Sequence, residues 1–327
     1  MNIIRKYVAP IEDRLQRILH GREPSSLYEP CRYVLENGGK RFRPVLTLLA
    51  AGMCGEKTEK AIPAALSVEL IHNFTLVHDD IMDDAVSRRG RPTVHTKWDM
   101  PVAILAGDLL YTEAFRQLLA YKEDSSVGKE QFSLLYNTLL DAIRVVCEGQ
   151  ALDMELERSA GATTGEYLKM IEGKTSALIG GSLVMGGVVA SADKTRLQSL
   201  DRLGRIIGLA FQIQDDLLDV IADPDKFGKI RGGDILEGKK TYLFLRALEQ
   251  SNEIQRHELN ILTRKQTTPA DVQRVIQLYE QTEAISQTEI KVESYYQEAV
   301  DLLQSFDDSI YKDDLVALLD FLKNREF

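Results

Sequence analysis

The sequence predicts an all-α protein, and three observations support this. Only nine prolines interrupt its 327 residues. The stretches 62–84 and 197–220 contain few turn signals, and their apolar residues recur at intervals of three and four, which is the period of a helix. Hydrophobic residues make up 44% of the chain and charged residues 28%, so a sizeable core can form. We therefore expect a bundle of about ten helices.

The predicted helices follow one another without a break in composition. No Ser/Gly linker or proline-rich tract divides the chain, so we expect one domain over residues 1–327. Segments 100–120 and 170–190 are apolar enough to form interior helices, whereas the chain from Glu253 onward is amphipathic and is expected to support the core. Short loops are predicted at 21–26, 55–58, 88–92, 159–164, 224–233 and 267–269.

Composition argues against several classes of protein. A net charge of −10 disfavours general nucleic-acid binding, which needs an excess of Lys and Arg. Cys31, Cys54 and Cys147 are widely spaced and odd in number, so we expect neither disulfides nor a zinc site, and a cytoplasmic location fits. Residues 1–20 lack the apolar core of a signal peptide. The uncharged stretch 175–190 is shorter than the roughly 20 residues that span a bilayer, so an integral membrane protein is not expected.

The first of two acidic clusters contains Asp79, Asp80 and Asp83. Asp79 and Asp83 are four residues apart, so on a helix they lie on one face, about 40° from each other, with Asp80 at the flank. Their carboxylates repel each other, and the helix dipole disfavours them at a C-terminal end, unless a cation lies between them. For one cluster alone, a solvated acidic face explains the pattern as well as a metal site does.

A second cluster repeats the pattern at Asp215, Asp216 and Asp219, again after an apolar helical stretch. Two such clusters, far apart in the sequence, are hard to attribute to solubility. Carboxylate ligands without cysteine suit Mg²⁺, which commonly shares its coordination shell with substrate phosphates. We therefore predict that both clusters bind Mg²⁺ together with a polyphosphate. His72 and Gln212 lie on the faces that carry the acids and are expected to contact the same ligand.

Short basic segments accompany these acids. Arg88 and Arg89 come a few residues after the first cluster, and guanidinium groups bind diphosphate oxygens in a bidentate manner. Lys40 and Arg43 follow two glycines, which allow the backbone to approach an anion. Lys174 begins an otherwise apolar stretch, where its charge needs an anion, and a substrate phosphate is the expected partner. The basic segments therefore predict a small polyanionic ligand.

Seven segments between Gly38 and Tyr242 can be compared with known motifs: GGKRFRP, HNFTLVHDDIMDDAVSRRGRPTVH, AGDLL, EGQALD, GKTSAL, GLAFQIQDDLLDV and FGKIRGGDILEGKKT. Together they resemble the trans-polyprenyl diphosphate synthase family, in particular its short-chain geranylgeranyl and farnesyl diphosphate synthases. The resemblance implies an all-α, single-domain bundle of the isoprenoid synthase type around a deep central cavity. It also implies a homodimer.

The resemblance further implies a reaction and a role for individual residues. The family joins isopentenyl diphosphate to an allylic diphosphate with the help of Mg²⁺, three ions being bound with the substrate diphosphate. The residues implied to bind isopentenyl diphosphate are Lys40, Arg43, His72 and Arg89. Those implied to bind the allylic diphosphate are Arg88, Lys174, Thr175, Gln212, Lys229 and Lys239. The implied metal ligands are Asp79, Asp80, Asp83, Asp215, Asp216 and Asp219. The residues implied to be catalytic are Asp79, Asp83, Asp215, Lys174 and Arg88.

The residues just before Asp79 bear on product length. Phe74 is a single aromatic residue five positions before Asp79, and the small Thr75 follows it. This pattern resembles family members that stop at the C20 product, geranylgeranyl diphosphate, with C15 farnesyl diphosphate as the alternative. Helix geometry instead places Thr75 and Ile71 nearer the acids, so all three residues are candidates. Tyr242 stands where many relatives have a smaller residue or proline, and we expect it to pack.

Three other functions fit parts of the pattern. A terpene cyclase uses similar acids but leaves Lys40, Arg43 and Arg89 unexplained. A non-catalytic subunit of the same fold usually lacks one acidic cluster, and both are present here. An all-α, Mg²⁺-dependent nucleotide pyrophosphohydrolase predicts release of phosphate or diphosphate from nucleotides without isopentenyl diphosphate.

Overall fold

The computed structural model describes residues 2–159, 161–222, 231–263 and 267–324. Within these ranges the chain is helical apart from loops and one short hairpin, so the predicted all-α class is confirmed. No helix in the described ranges has both the length and the apolar composition needed to cross a membrane.

The first helices are α1 (Asn2–Ile18), α2 (Ser25–Glu36), α3 (Phe42–Met53), α4 (Ile62–Met82), α5 (Val94–Lys97), α6 (Met100–Leu118), α7 (Ala120–Glu123) and α8 (Lys129–Arg158). A 3-10 turn at Thr58–Ala61 precedes α4, and β1 (Ser87–Arg88) pairs antiparallel with β2 (Arg91–Pro92). The later elements are α9 (Thr164–Ile171), a π-helical turn (Glu172–Ser176), α10 (Ala177–Val189), α11 (Lys194–Ile221), α12 (Gly233–Leu236), α13 (Tyr242–Gln250), α14 (Glu253–Leu262), α15 (Pro269–Gln281), α16 (Ala284–Leu303) and α17 (Ile310–Lys323).

The chain divides into two compact units. Unit 1 comprises residues 1–143, 180–201 and 307–315, and unit 2 comprises residues 144–179, 202–306 and 316–327. Four of the five boundaries between them fall within helices α8, α10, α11 and α17, and the fifth, after residue 306, falls in the loop before α17. The single domain over residues 1–327 and its central cavity are not tested by this division and stay predictions.

The core of unit 1 is built on α4 and its neighbours α3 and α6. Every residue of α3 from Pro44 to Met53 is buried, as an interior helix requires. Helix α10 approaches α3 closely at Gly186, where a Cβ would lie only 2.2 Å from the carbonyl oxygen of Thr47. Residues 175–189 are nearly all buried, which confirms the interior position predicted for the segment 170–190.

Helix α6 is less buried than its sequence predicts. One side packs against α4, but on the other side Ile104 is 43% exposed and Leu105 is 55% exposed. The prediction that the whole segment 100–120 is interior is therefore wrong for this face. Apolar residues indicate that a helix face is favoured to be buried. They do not indicate whether the surface that buries it belongs to the same chain or to another.

The amphipathic C-terminal part supports the core of unit 2, as predicted. Helix α13 packs against α9, α15 and α16, and buried side chains such as Val275 and Tyr279 point inward from α15. Capping boxes fix the starts of α14 and α15: Asn252 pairs with Gln255, and Thr268 pairs with Asp271. Helix α13 in turn positions residues of the second acidic site.

Candidate active site

The first acidic cluster lies at the end of α4, in unit 1. Helix α4 ends at Met82, and the N–H of Asp83 donates to the carbonyl oxygen of Asp79 at 2.8 Å. Asp83 is exposed and Asp79 is half-buried. Asp80 is 6% exposed; burial raises the pKa of its carboxyl group, and the neighbouring Arg88 partly offsets this. The acids thus emerge at the C-terminal end of an apolar helix, where the sequence places them.

The short hairpin after α4 binds Asp80. The Nε–H of Arg88 donates to Oδ1 of Asp80 at 2.7 Å. Arg89 and Gly90 have φ values of 54° and 73°, and positive φ at both turn residues is what a two-residue type I′ hairpin requires. Nη1 of Arg89 donates to the carbonyl oxygen of Gly38. The basic hairpin and the glycine loop, which are separate in the sequence, are therefore neighbours in the fold.

Arg43 and His72 lie at the centre of the basic group in unit 1. Nη1 of Arg43 is 3.2 Å from Nε2 of His72. A guanidinium group can only donate, so Nε2 of His72 accepts and the ring proton resides on Nδ1. Burial first, and then the charges of Arg43 and Arg89, hold the pKa of His72 well below 6.5, so the ring is neutral at pH 7. Burial also lowers the pKa of Arg43 to about 10, which leaves it charged.

The four residues that the resemblance assigns to isopentenyl diphosphate therefore share one part of unit 1. Arg43 contacts His72, and Arg89 contacts the glycine loop that carries Lys40, whose side chain is exposed. A small pocket adjoins the hairpin and is lined by residues that include Tyr33, Asn73, Asp80, Arg88, Arg89 and Thr93.

The second acidic cluster lies near the end of α11, in unit 2. Asp216 is 5% exposed and accepts three hydrogen bonds: from Tyr167 Oη at 2.5 Å, from the N–H of Tyr242 at 3.2 Å and from Nε2 of Gln212 at 3.3 Å. Burial, followed by the negative charge of Asp234, raises the pKa of Asp216 to about 8. A cation bound nearby would favour its ionised form.

Asp219 organises the segment that begins at residue 231. The N–H of Gly232 donates to the carbonyl oxygen of Asp219 at 2.8 Å, and the N–H of Asp234 donates to Oδ2 of Asp219 at 3.1 Å. Nζ of Lys239 lies 3.5 Å from the Asp234 carboxylate. Burial opposes the charge of Lys239, but the nearby acids raise its pKa overall. Lys229, the other lysine predicted to contribute here, lies outside the described residues.

The π-helical turn positions Lys174, and such turns occur frequently at functional sites. Nζ of Lys174 is 2.6 Å from Oδ2 of Asp153 on α8. The fold therefore supplies a carboxylate for this lysine, and its contact with a substrate phosphate stays a prediction. A phosphate would join or displace Asp153. Oγ1 of Thr175 donates to Oε1 of Gln212 at 3.2 Å, so two residues predicted to bind one diphosphate contact each other.

Two glycines allow α8 to approach this turn. A Cβ on Gly149 would lie 2.1 Å from the backbone nitrogen of Lys174, and a Cβ on Gly173 would lie 2.9 Å from the Cα of Gly149. Asp153 follows Gly149 by four residues, about one helical turn. The glycine contact therefore brings the backbone of Lys174 close enough for its side chain to reach Asp153.

Comparison with known proteins bears directly on this arrangement. The sequence profile described as Polyprenyl synthetase matches residues 24–280 of the chain. The chain belongs to the polyprenyl synthetase family. A geranylgeranyl pyrophosphate synthase from Geoglobus acetivorans is 38% identical over 324 residues, covering 99% of this chain and 98% of the relative. The crystal structure of a geranylgeranyl pyrophosphate synthetase from Pyrococcus horikoshii superposes with a TM-score of 0.93 at 35% identity, covering 99% and 97% of the two chains.

As a polyprenyl synthetase, the chain is an enzyme, a trans-prenyltransferase with the isoprenoid synthase fold. The family uses a divalent metal. A polyprenyl synthase from Caulobacter crescentus, solved in complex with calcium and isoprenyl diphosphate, superposes with a TM-score of 0.87 at 27% identity, covering 100% and 98% of the two chains. A relative from Natronomonas pharaonis, 38% identical over 262 residues and covering 75% of each chain, is a geranylfarnesyl diphosphate synthase.

The aspartates of this polyprenyl synthetase have different surroundings. Asp80 and Asp216 are buried and accept hydrogen bonds from partners within their own unit, whereas Asp79 and Asp215 are half-buried and Asp83 is exposed. Across the described ranges, no three His, Cys, Asp or Glu side chains form a ready-made metal centre. The carboxylate oxygens of these residues are hard ligands, which suit a divalent cation that shares its coordination shell with substrate phosphates.

The three chain-length candidates of this polyprenyl synthetase differ in accessibility. Ile71 has no exposed surface, so it cannot contact a prenyl chain unless the core repacks. Phe74 and Thr75 are half-buried. The ring of Phe74 packs edge-on against His78, with centroids 4.7 Å apart, and against Tyr111 of α6, with centroids 5.3 Å apart. Phe74 and Thr75 are therefore the better-placed candidates.

Several residues of the site lie outside the two acidic clusters, and the sequence pattern of those clusters does not predict them. Asp153 lies in the EGQALD segment and Asp234 lies in the GGD segment, and both segments are part of the family resemblance. Nothing in either segment distinguishes the aspartate as a site residue. Tyr167 has no distinguishing signal, because a lone tyrosine on an amphipathic helix usually packs. Tyr242 is 7% exposed and packs as predicted, and its backbone also donates to Asp216, which a proline at this position could not do.

Proposed function

We propose that this trans-prenyltransferase condenses isopentenyl diphosphate with allylic diphosphates and releases geranylgeranyl diphosphate as its main product. The observation that carries the proposal is that each unit contains its own group of cations. Unit 1 contains Lys40, Arg43 and Arg89, and unit 2 contains Lys174 and Lys239. Two groups of this kind support two diphosphate substrates. A terpene cyclase, which takes one diphosphate, leaves the group in unit 1 without a ligand.

The cations of unit 1 bind the diphosphate of isopentenyl diphosphate. Arg43 and Arg89 offer guanidinium donors for charge-assisted hydrogen bonds, and Lys40 adds an exposed ammonium group. His72 is neutral and accepts a hydrogen bond from Arg43, so it orients that guanidinium instead of adding charge. This assignment leaves the double bond of the substrate free to react.

The cations Arg88, Lys174 and Lys239 bind the allylic diphosphate. As the allylic C–O bond breaks, negative charge builds on the departing diphosphate, and cations that are already in place stabilise it. Arg88 and Lys174 are held by Asp80 and Asp153 before substrate arrives. The double bond of isopentenyl diphosphate then attacks the allylic carbon, and the new cation passes a proton to the released diphosphate, which restores an alkene.

Mg²⁺ is the metal that the carboxylate donors fit best, with three ions bound together with the substrate diphosphate. When bound, Mg²⁺ neutralises charge on the diphosphate and assists its departure. The residues that would hold it are Asp79, Asp83 and Asp215, with Asp80, Asp216 and Asp219 acting directly or through water.

The decisive experiment is incubation of the pure protein with Mg²⁺, labelled isopentenyl diphosphate and, in turn, dimethylallyl, geranyl and farnesyl diphosphate. We expect label in a C20 product from each primer, separated by chromatography. No incorporation from any primer would refute the proposed condensation. A main product of C15 or C25 would contradict the proposed length and leave the condensation itself intact.

Phe74 is the proposed limit to chain length. We expect Phe74→Ala to shift the main product beyond C20, because removing the ring opens space beside Tyr111. Product lengths from farnesyl diphosphate measure this. Ile71→Ala is the matched control: it removes a fully buried neighbour and should destabilise the protein by about 2–5 kcal/mol while the product stays C20. An unchanged product from Phe74→Ala would place the limit at another residue.

A homodimer is proposed from the exposed apolar face of α6. Met100, Ile104 and Leu105 are between 41% and 55% exposed at the start of α6, and exposed apolar side chains that lie together commonly mark an interface. We expect Leu105→Glu to convert the dimer to monomer in size-exclusion chromatography with light scattering, because it places a charge in the buried contact. A wild-type protein that is monomeric at all concentrations would refute the dimer.

The proposed cellular location is the cytoplasm. It is supported by the three cysteines of the sequence, which are odd in number and widely spaced and so do not indicate a disulfide framework.

A further inference from the structure

Arg41 differs from the other two cations of the GGKRFRP segment. Lys40 is exposed and Arg43 is half-buried, whereas Arg41 is 3% exposed. Its backbone is left-handed, with φ 46° and ψ 39°, immediately before α3 begins. A non-glycine residue keeps this conformation only when its surroundings hold it there. The side chain of Arg41 therefore serves an internal contact.

The guanidinium of Arg41 joins three other helices to the start of α3. Nε donates to Oε1 of Glu12 on α1 at 2.7 Å, and Nη1 donates to Oε1 of Glu69 on α4 at 2.7 Å. Nη2 donates to the carbonyl oxygen of Leu35 on α2 at 2.6 Å. A planar guanidinium offers donors on three nitrogens in a fixed fork, whereas the three donors of a lysine ammonium share one nitrogen.

Glu69 lies in the same buried network. It is 3% exposed, and its Oε1 also accepts from Nδ2 of Asn73 at 3.0 Å. Burial lowers the pKa of Arg43 and of Arg89, and the negative charge of Glu69 partly offsets this in both, so Glu69 lies near enough to balance them. Glu69 is thus a buried counter-charge close to the basic group of unit 1.

Arg41 and Glu69 are close along the chain to Arg43 and His72, which contact each other. Arg41 precedes Arg43 by two residues at the start of α3, and Glu69 precedes His72 by three residues on α4. Residues three apart on a helix are neighbours on its surface. The ion pair therefore fixes the spacing between α3 and α4 at the point where Arg43 meets His72.

We infer that Arg41 and Glu69 are positioning residues for isopentenyl diphosphate: they do not touch the substrate but hold Lys40 and Arg43 at the spacing that its diphosphate needs. The inference rests on the proposed function. In the absence of substrate the positive charges of the site repel one another. If the fold already holds these cations in place, binding does not pay the free-energy cost of bringing them together. The buried Arg41–Glu69 ion pair supplies that restraint without touching the substrate.

The test uses substitutions that conserve charge, so that the long-range attraction for a diphosphate is unchanged. Arg41→Lys keeps the positive charge but loses the fork, and Glu69→Asp keeps the carboxylate but shortens its reach. Glu113→Asp is the matched control, because Glu113 is 2% exposed on α6 and belongs to no part of the proposed site.

Equilibrium binding of labelled isopentenyl diphosphate is measured without a primer, so that no condensation occurs. KM for each of the two substrates and kcat are measured in parallel, and circular dichroism confirms folding.

We expect Arg41→Lys and Glu69→Asp to weaken isopentenyl diphosphate binding about tenfold or more, with KM for the allylic diphosphate within about threefold of wild type. Glu113→Asp should leave both unchanged. Wild-type affinity in either folded variant, or an equal loss for both substrates, would overturn the positioning role. If one variant fails to fold, the other decides the question. If neither folds, the pair is only structural and the inference is wrong. A wild-type protein that binds no isopentenyl diphosphate would instead refute the proposed function.

Discussion

Asp79→Asn should lower kcat about a thousandfold without lowering thermal stability. The amide keeps the shape of the side chain but removes the charge that Mg²⁺ requires. In the free protein the charge of Asp83, four residues later, and the dipole at the C-terminal end of α4 both disfavour the same charge. Steady-state kinetics and a thermal melt measure the two effects. Loss of activity together with unchanged or raised stability is the signature of a metal ligand.

Two neighbouring aspartates provide controls for Asp79→Asn. Asp84 is exposed and has φ 52°, a conformation that asparagine tolerates well, so Asp84→Asn should keep wild-type kcat. Asp80→Asn should lower thermal stability, because Asp80 is buried and bonded to Arg88. Near wild-type turnover in Asp79→Asn would contradict the role assigned to this residue.

Gly149→Ala should reduce both stability and turnover. The added Cβ would lie 2.1 Å from the backbone nitrogen of Lys174, and backbone atoms cannot rotate away as a side chain can. Either α8 or the π-helical turn must then move, at a cost of about 3 kcal/mol. Displacing Lys174 from Asp153 by about 1 Å should lower kcat about a hundredfold. Thermal melts and kinetics with saturating substrates measure these changes.

Gly165→Ala is the control for that substitution. Gly165 lies in the first turn of α9, where an added Cβ would meet only Oγ1 of Thr163, at 3.9 Å. Alanine in a helix is favoured over glycine by about 0.5–1 kcal/mol, so this variant should be slightly more stable and fully active. If Gly149→Ala keeps wild-type turnover, the glycine contact does not position Lys174.

The parts of the site that can be read from sequence are those set by local geometry and residue chemistry. The helical period places Asp79 and Asp83 on one face of α4, and the structure shows α4 ending at Met82, between them. Glycine and arginine in the segment 88–91 predict a tight basic turn, and the hairpin there follows from the positive φ values at residues 89 and 90. Lys229 falls outside the described residues, so its placement stays a prediction.

What the amino-acid sequence determined by itself is the helical class, the two acidic clusters and the basic segments beside them. These follow from periodicity and side-chain chemistry over a few residues, and the family resemblance rests on them. Only the tertiary structure decided which groups are partners, such as Lys174 with Asp153 and Asp216 with Tyr167. It also decided that one face of α6 is exposed. The physical reason is that such contacts join residues 21 to 49 positions apart, whose distance depends on helix packing and loop paths, and no local pattern encodes these.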